Sequence, residues 1–449
     1  MLLGFLLFSK FILKIIIYLS YYYIGWFIIE GARRIGKSTV VEDFAKKNYK
    51  SYILIDFSIA SKAIKELFED MSDLNYFFIQ LKLLTHTALY ERESLIIFDE
   101  VQLCPLARQA IKVLVKDHRY DYIETGSLIS IKKNVEKILI PSEETRLSMY
   151  PMDYEEFLWA LGEEDSVSLL NEVYKTARPI GEKINRVLMR KFRLYMLVGG
   201  MPQAVDTYIR KNDFKAVDDV KRDIINLYED DFKKIDSSGR LAMMFEAIPS
   251  QLNKNKTSYK IQSVIGSYTK SDEYLLSLIS ELNDSKVVNI AYHSNDPRVD
   301  LSATKDLSTY KVYMGDTGLF VTLLFKNRDF TENIIYEKLL SDKLPVNLGY
   351  LYENAVAQTL VANGHKLYYY TFYNETQKRN YEVDFIFSKQ NKICPIEVKS
   401  SNYRVHASID KFNEKFSDRI LNRHIIHTKD LSKDKDIICL PIYLAQFIL

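Results

Sequence analysis

Eight residues near the start of the chain, Gly31-Ala32-Arg33-Arg34-Ile35-Gly36-Lys37-Ser38, follow the spacing G-x-x-x-x-G-K-S. Glycines at both ends let the backbone turn tightly and aim its N–H groups at an anion. A helix starting at the same place adds partial positive charge. Lys37 has the reach to meet the β- and γ-phosphates of a nucleotide, and the Ser38 hydroxyl can ligate Mg²⁺. Gly31, Arg34, Gly36, Lys37, Ser38 and Thr39 are the expected nucleotide contacts. A second string, Ser94-Leu95-Ile96-Ile97-Phe98-Asp99-Glu100, sets two acids behind an apolar run. Asp99 suits a Mg²⁺ held through water, and Glu100 suits the orientation or deprotonation of an attacking water. Lys37 and Glu100 are therefore the expected catalytic residues, with Ser38 and Asp99 serving the metal. A polar residue ending the strand beside the acidic pair can sense the γ-phosphate; Thr125 and Ser127 fit, as does a plain strand-to-loop turn.

Near the other end of the chain a separate set of acids accumulates. Glu353 falls near the start of an amphipathic helix over residues 351–360, Asp384 in a strand over 381–386, and Glu397 and Lys399 in a strand over 394–399. Strand periodicity puts Glu397 and Lys399 on one face. A helix acid, a strand acid and a Glu-x-Lys strand form the arrangement of a metal-dependent nuclease. Glu353, Asp384 and Glu397 would then hold a second Mg²⁺, a hard cation that prefers oxygen, while Lys399 positions the nucleophilic water. The same residues fit a salt-bridged assembly that binds without cutting.

The elements that must carry these groups follow from hydrophobic pattern. Strands are expected at 26–30, 52–56, 94–98 and 120–124, with helices at 39–47 and across 61–90. Such alternation predicts a parallel α/β sheet with ligands at the strand C-termini. A strand inserted between the phosphate loop and the acidic strand, without an N/T-K-x-D guanine signature, points to an ATPase rather than a GTPase. Gly199-Gly200 followed by Pro202 reads as a helix end and tight turn, or as a nucleotide contact. Helices at 241–252, 261–268 and 272–282 with a strand at 286–292 resemble a winged-helix plan. Lys254, Lys256, Lys260 and Lys270 lie near the third helix, but it carries Asp272, Glu273, Glu281 and Asp284, which phosphates would repel. A structural or partner-binding module is the better reading there.

The chain is 449 residues long, and 61 Lys+Arg against 59 Asp+Glu leave a formal charge of +2, which excludes a disordered polyelectrolyte. Its 47% hydrophobic and 13% aromatic content fills more than one core. Cys104, Cys394 and Cys439 are far apart with no CxxC spacing, which excludes a disulfide framework and a Cys-rich zinc site and favours a reducing, cytoplasmic location. Residues 1–24 are almost wholly apolar, broken by Lys10 and Lys14. The uncharged run 15–29 is short of the roughly 20 residues of a membrane span. Two readings stand: a membrane-associated segment, or a start misplaced relative to the natural N-terminus.

Taken in order, GARRIGKST, IIFDEVQ, ETGSLIS, MYPMDYEEFLWA, LVGGMPQAV, KVYMGDTGL and the EVDF…PIEVKSS tail resemble a widespread prokaryotic AAA-type P-loop ATPase family. Its members carry a C-terminal domain of unknown function similar to restriction-endonuclease folds. The resemblance spans residues 26–449 and implies an α/β protein. It divides into an apolar segment 1–24, a P-loop core 25–160, a helical lid 161–235, a winged-helix-like module 236–330 and a restriction-endonuclease-like α/β domain 331–449. It implies Mg²⁺-dependent ATP hydrolysis coupled to movement of the C-terminal modules. An ATP-gated nuclease or nucleic-acid-binding defence protein, and a nucleotide-controlled protein-binding switch, are the alternatives. DNA, a protein partner and a homo-oligomer remain open as partners. Arg33, Arg34, Arg119 and Arg146 are the arginine-finger candidates.

Overall fold

The computed structural model describes residues 26–126, 145–252, 257–266, 272–298, 300–326, 334–341, 349–375, 378–401 and 403–448. They form two compact units that divide at Tyr150/Pro151, with the short stretch Asp284–Lys286 grouped with the first. Ser127, Lys254, Lys256, Lys270 and the apolar segment 1–24 lie outside the described residues.

The N-terminal unit is built on five strands: β1 (Trp26–Glu30), β2 (Ser51–Asp56), β3 (Ser94–Asp99), β4 (Asp121–Gly126) and β5 (Arg146–Ser148). Their order is β2-β3-β4-β1-β5, and every neighbouring pair is parallel. β1 and β3 are buried along their whole length, as continuous apolar strands in a two-sided parallel sheet must be. One face packs Trp26, Ile28, Ile96 and Tyr122 against Phe68, Phe77 and Phe78, with Phe68 and Phe98 edge-to-face at 5.5 Å. The helical stretch expected across 61–90 is broken. A short helix Lys62–Glu66 is followed by a separate helix Leu74–Thr85, whose N-cap Asp73 accepts the Asn75 and Tyr76 N–H groups at 2.9 and 3.1 Å. Asp73 satisfies N–H groups at the new start, so a restart there is favourable. Because all five strands run the same way, the C-terminal ends of β1, β3 and β4 share one edge.

The C-terminal unit opens with helices Tyr154–Ala160, Glu164–Thr176, Glu182–Val198, Pro202–Lys211 and Phe214–Ile235. The first begins with a capping box, Asp153 and Glu156 each bonding the other's backbone N–H. An eight-stranded sheet follows: β6 (Val288–Ser294), β7 (Lys305–Met314), β8 (Tyr368–Asn374), β9 (Arg379–Lys389), β10 (Lys392–Val398), β11 (Arg423–His427), β12 (Ser432–Asp434) and β13 (Ile437–Pro441), in the order β12-β13-β11-β10-β9-β8-β6-β7. The antiparallel hairpin β6–β7 occupies the place expected for a wing, yet Tyr292 and His293 pair with Tyr368 and Tyr369. It is thereby continuous with the C-terminal sheet, and the expected boundary at residue 330 falls inside one compact unit. The first four residues of β6 are buried and pair with β7, while Tyr292 and His293 carry the link to β8. The expected helix 261–268 is only Ile261–Ile265, ended by Gly266 at φ 82°.

Two glycine motifs distant in sequence meet in this unit. A Cβ on Gly199, which has φ 84°, would lie 2.4 Å from Asp316 Oδ1, and a Cβ on Gly318 would lie 2.5 Å from Gly199 Cα. The Asp316 carboxylate accepts the N–H of Gly200 at 2.5 Å and of Leu319 at 2.8 Å. Gly199 and Gly200 thus make a backbone-to-backbone joint that serves packing. Gly318→Ala is expected to lower stability by about 1–3 kcal/mol through overpacking, read as a reduced urea midpoint. Gly349→Ala, whose Cβ meets only Ser400 Oγ at 3.4 Å, serves as the tolerated control.

Candidate nucleotide site and a buried acid–lysine cluster

From the end of β1 the chain turns through residues 31–36 into helix Lys37–Asn48. Ile35 is buried beneath this loop, and a Cβ on Gly31 would sit 2.4 Å from Met149 O, so the turn admits no side chain there. Gly36 at φ 89° is the helix N-cap, a left-handed geometry that suits glycine. Lys37 is buried and folds back over the loop, its Nζ donating to Gly31 O at 3.1 Å and Ala32 O at 2.9 Å. Burial holds its pKa below the ordinary lysine value, with Glu100 and Asp99 opposing that shift.

Three segments converge on Asp99 at the end of β3. Ser38 Oγ donates to Asp99 Oδ1 at 2.8 Å, and Thr125 Oγ1, at the end of β4, donates to the same oxygen. Glu100 follows at φ 51°, and its Oε2 accepts the side-chain amide of Gln102. Behind Thr125, Glu124 and Arg108 form a fully buried ion pair, and Trp26 Nε1 donates to Glu124 at 3.0 Å. The Ser38 hydroxyl and the Asp99 carboxylate are an all-oxygen donor set suited to Mg²⁺, and the Lys37 ammonium sits on the same loop.

Of the remaining expected contacts, Arg34 and Thr39 are exposed on the loop and helix start, and Ser127 lies outside the described residues; Arg33, an arginine-finger candidate, is exposed on the same loop. Arg119 precedes β4, at the edge of the sheet away from Thr125, and bonds Asp117 at 2.5 Å and Asn75 at 2.8 Å. It does not approach the phosphate loop. Arg146, at the start of β5, stands 3.8 Å from Glu30. Gln102 and the Arg108–Glu124 pair escaped the reading of the sequence. The only hint was an arginine on the apolar face of helix Pro105–Lys116, beside Ala107, Ala110 and Ile111.

The C-terminal acids do come together, but around lysines. Glu353 projects from helix Gly349–Ala362, Glu382 and Asp384 from β9, Glu397 from β10, and Lys311 from β7. Lys399 Nζ bonds Glu397 at 2.6 Å, Lys311 bonds Glu382, and Asp384 Oδ2 accepts the Val398 N–H at 2.7 Å. Among the described residues no group of three or more His, Cys, Asp or Glu side chains is placed to hold a metal ion. Around the expected second Mg²⁺ ligands Glu353, Asp384 and Glu397 the structure shows an acid–lysine cluster, in which Glu397 is paired with Lys399 and Asp384 is bonded to a backbone N–H. Burial and then the neighbouring Glu353 raise Asp384 well above the usual carboxylate range, and burial likewise raises Glu353. Burial would lower Lys399, but Glu397 and Asp384 outweigh it and hold it above its ordinary value. Lys311 and Glu382 were absent from the expected set, although the i, i+2 spacing of Glu382 and Asp384 was the available signal.

An acid whose folded pKa is raised contributes stability below its unfolded pKa and loses it as pH rises through the folded value. Asp384→Asn removes one such group. The variant's melting temperature relative to the parent chain is expected to be more favourable at pH 8 than at pH 5. A constant or opposite difference in a thermal melt contradicts the assignment.

Residues 25–158 match the family model described as an AAA domain, and residues 189–329 and 348–445 match two families each described as a domain of unknown function. No curated protein matches the chain. Among solved structures, the Walker-type ATPase of Pyrococcus abyssi is similar at 15% identity, covering 70% of this chain and 95% of that one with a TM-score of 0.44. The Aeropyrum pernix ORC1 protein in complex with DNA matches at 12% identity over 69% of this chain and 87% of its own, with a TM-score of 0.28. By the family match the N-terminal unit is similar to an AAA domain. No helix among the described residues is long and apolar enough to cross a membrane.

Proposed function

We propose that the N-terminal unit binds ATP with Mg²⁺ and hydrolyses it. The observation that carries this reading is the convergence of Ser38 and Thr125 on one oxygen of Asp99, beside Lys37 and Glu100. In this scheme the loop N–H groups and Lys37 bind the phosphates. Ser38 and Asp99 hold Mg²⁺, which when bound neutralises phosphate charge. Glu100, kept by Gln102, orients the attacking water and accepts its proton, and Thr125 lies where the γ-phosphate is sensed. The AAA-domain match over residues 25–158 supports the same reading.

We read the C-terminal unit as a restriction-endonuclease-like core, a reading supported by helix Gly349–Ala362, the antiparallel meander β8–β9–β10, helix Ala407–Phe416 and β11 parallel to β10. With Glu397 and Glu382 paired to lysines, we read this core as one that binds or assembles without cutting. ATP turnover would then drive movement of this unit against a nucleic-acid or protein partner, with self-association as one route.

Lys37→Ala is expected to abolish multiple-turnover phosphate release; unchanged turnover rejects the assignment. Glu100→Gln is expected to keep ATP bound while slowing hydrolysis about 10²–10⁴-fold, the contribution of a positioned general base, measured by single-turnover kinetics beside equilibrium ATP binding. An equal loss of binding and turnover would move Glu100 from water activation to structure.

A further inference from the structure

Helix Leu74–Thr85 is apolar on two opposite sides. Phe77, Phe78 and Leu81 face the core, while Tyr76, Ile79, Leu83 and Leu84 are 60%, 54%, 68% and 41% exposed. The outward set recurs at helical spacing, and Lys82 is the helix's one charged residue. A helix hydrophobic all round normally lies inside a protein, and a contiguous apolar surface of this kind marks an interaction site. Beside it runs a cavity of about 530 Å³, floored by Leu67, Tyr76, Leu83 and Leu84. Its rim carries Glu66, Asp70 and Asp73, and among the described residues no basic one lines it. Lys62 meets Glu66 at 3.2 Å, but both are exposed, and such a surface pair yields readily to a competing cation.

We propose that this groove docks a helical segment of a partner protein, one that presents apolar side chains at i, i+3 and i+4 flanked by lysine or arginine. The floor selects the apolar face and the three acids select the basic flanks, the division of labour of helix-in-groove recognition. The cavity is large enough for two or three aliphatic side chains, and it lies in the same unit as the nucleotide site. The groove makes no use of the phosphate-binding residues, so the proposal stands or falls separately from the ATPase reading.

The test is fluorescence anisotropy of the full chain with a labelled helical peptide of about 14 leucine and lysine residues, and with a second peptide in which glutamate replaces lysine. The lysine peptide is expected to bind with a Kd on the order of 1–100 µM and the glutamate peptide at least about tenfold more weakly. Leu83→Ser is expected to weaken the lysine peptide by about tenfold, and Glu66→Gln with Asp70→Asn to reduce its salt dependence. Thermal unfolding and ATP turnover of the Leu83→Ser chain serve as fold controls and are expected to be unchanged. Absence of binding, equal binding of the two peptides, or binding indifferent to Leu83→Ser overturns the proposal. So does a chain that is dimeric by light scattering and becomes monomeric with Leu83→Ser, since a second copy would then be the occupant. Binding seen only after residues 1–25 are removed also overturns it, because the chain's own first residues would already cover the face.

Discussion

One carboxylate oxygen organises the edge of the N-terminal sheet. Asp99 Oδ1 accepts hydroxyls from Ser38, on the helix after β1, and from Thr125, at the end of β4. These groups come from sequence positions far apart, and only an all-parallel sheet with β4 between β1 and β3 brings them to one point. The apolar runs of β1 and β3 exist to be buried on both faces, and their burial fixes where the acidic and basic groups emerge. Packing therefore sets the chemistry. Trp26, at the start of β1, joins the core cluster and also bonds Glu124, tying the phosphate-loop strand to the strand that carries Thr125.

Buried charge is handled differently in the two units. Arg108 and Glu124 pair with each other at a place where neither meets solvent. A buried pair of this kind adds little stability over an apolar substitute, but it is costly to break. The C-terminal cluster instead gathers four acids, Glu353, Glu382, Asp384 and Glu397, around Lys311 and Lys399. Two acids remain in excess, and the structure accommodates them by raising the pKa values of Asp384 and Glu353 toward the neutral form. The same residue types at the same spacing can hold a divalent cation or be neutralised by lysine and proton; Lys311, invisible to the motif, pairs with Glu382 inside this cluster.

What the sequence disclosed was whatever is local. Gly36, Lys37 and Ser38 are adjacent, Asp99 and Glu100 end an unmistakable apolar run, and the parallel sheet follows from strand–helix alternation. The break at Asp73 was written in local turn chemistry, but the apolar run through Phe77 to Leu84 hid it. Long-range pairings were not legible. Nothing in LVGGMPQAV announces that Gly199 rests on Gly318, and nothing in β6 announces its pairing with β8. The hairpin β6–β7 could be read as a hairpin from its own residues. Its membership of the larger sheet depends on Tyr292 and His293 meeting Tyr368 and Tyr369, which lie far along the chain and leave no mark on the local pattern.

The account's central claim is that Ser38 and Asp99 act as one unit on the metal–nucleotide complex. A double-mutant cycle on Mg·ATP affinity by isothermal titration calorimetry tests it most directly, using Ser38→Ala, Asp99→Asn and both together. Residues sharing one ligand couple by about 0.5–3 kcal/mol. The account predicts that the double variant loses little more than the worse single variant. Losses that simply add would show that the two side chains serve separate purposes, and the site as described would not stand.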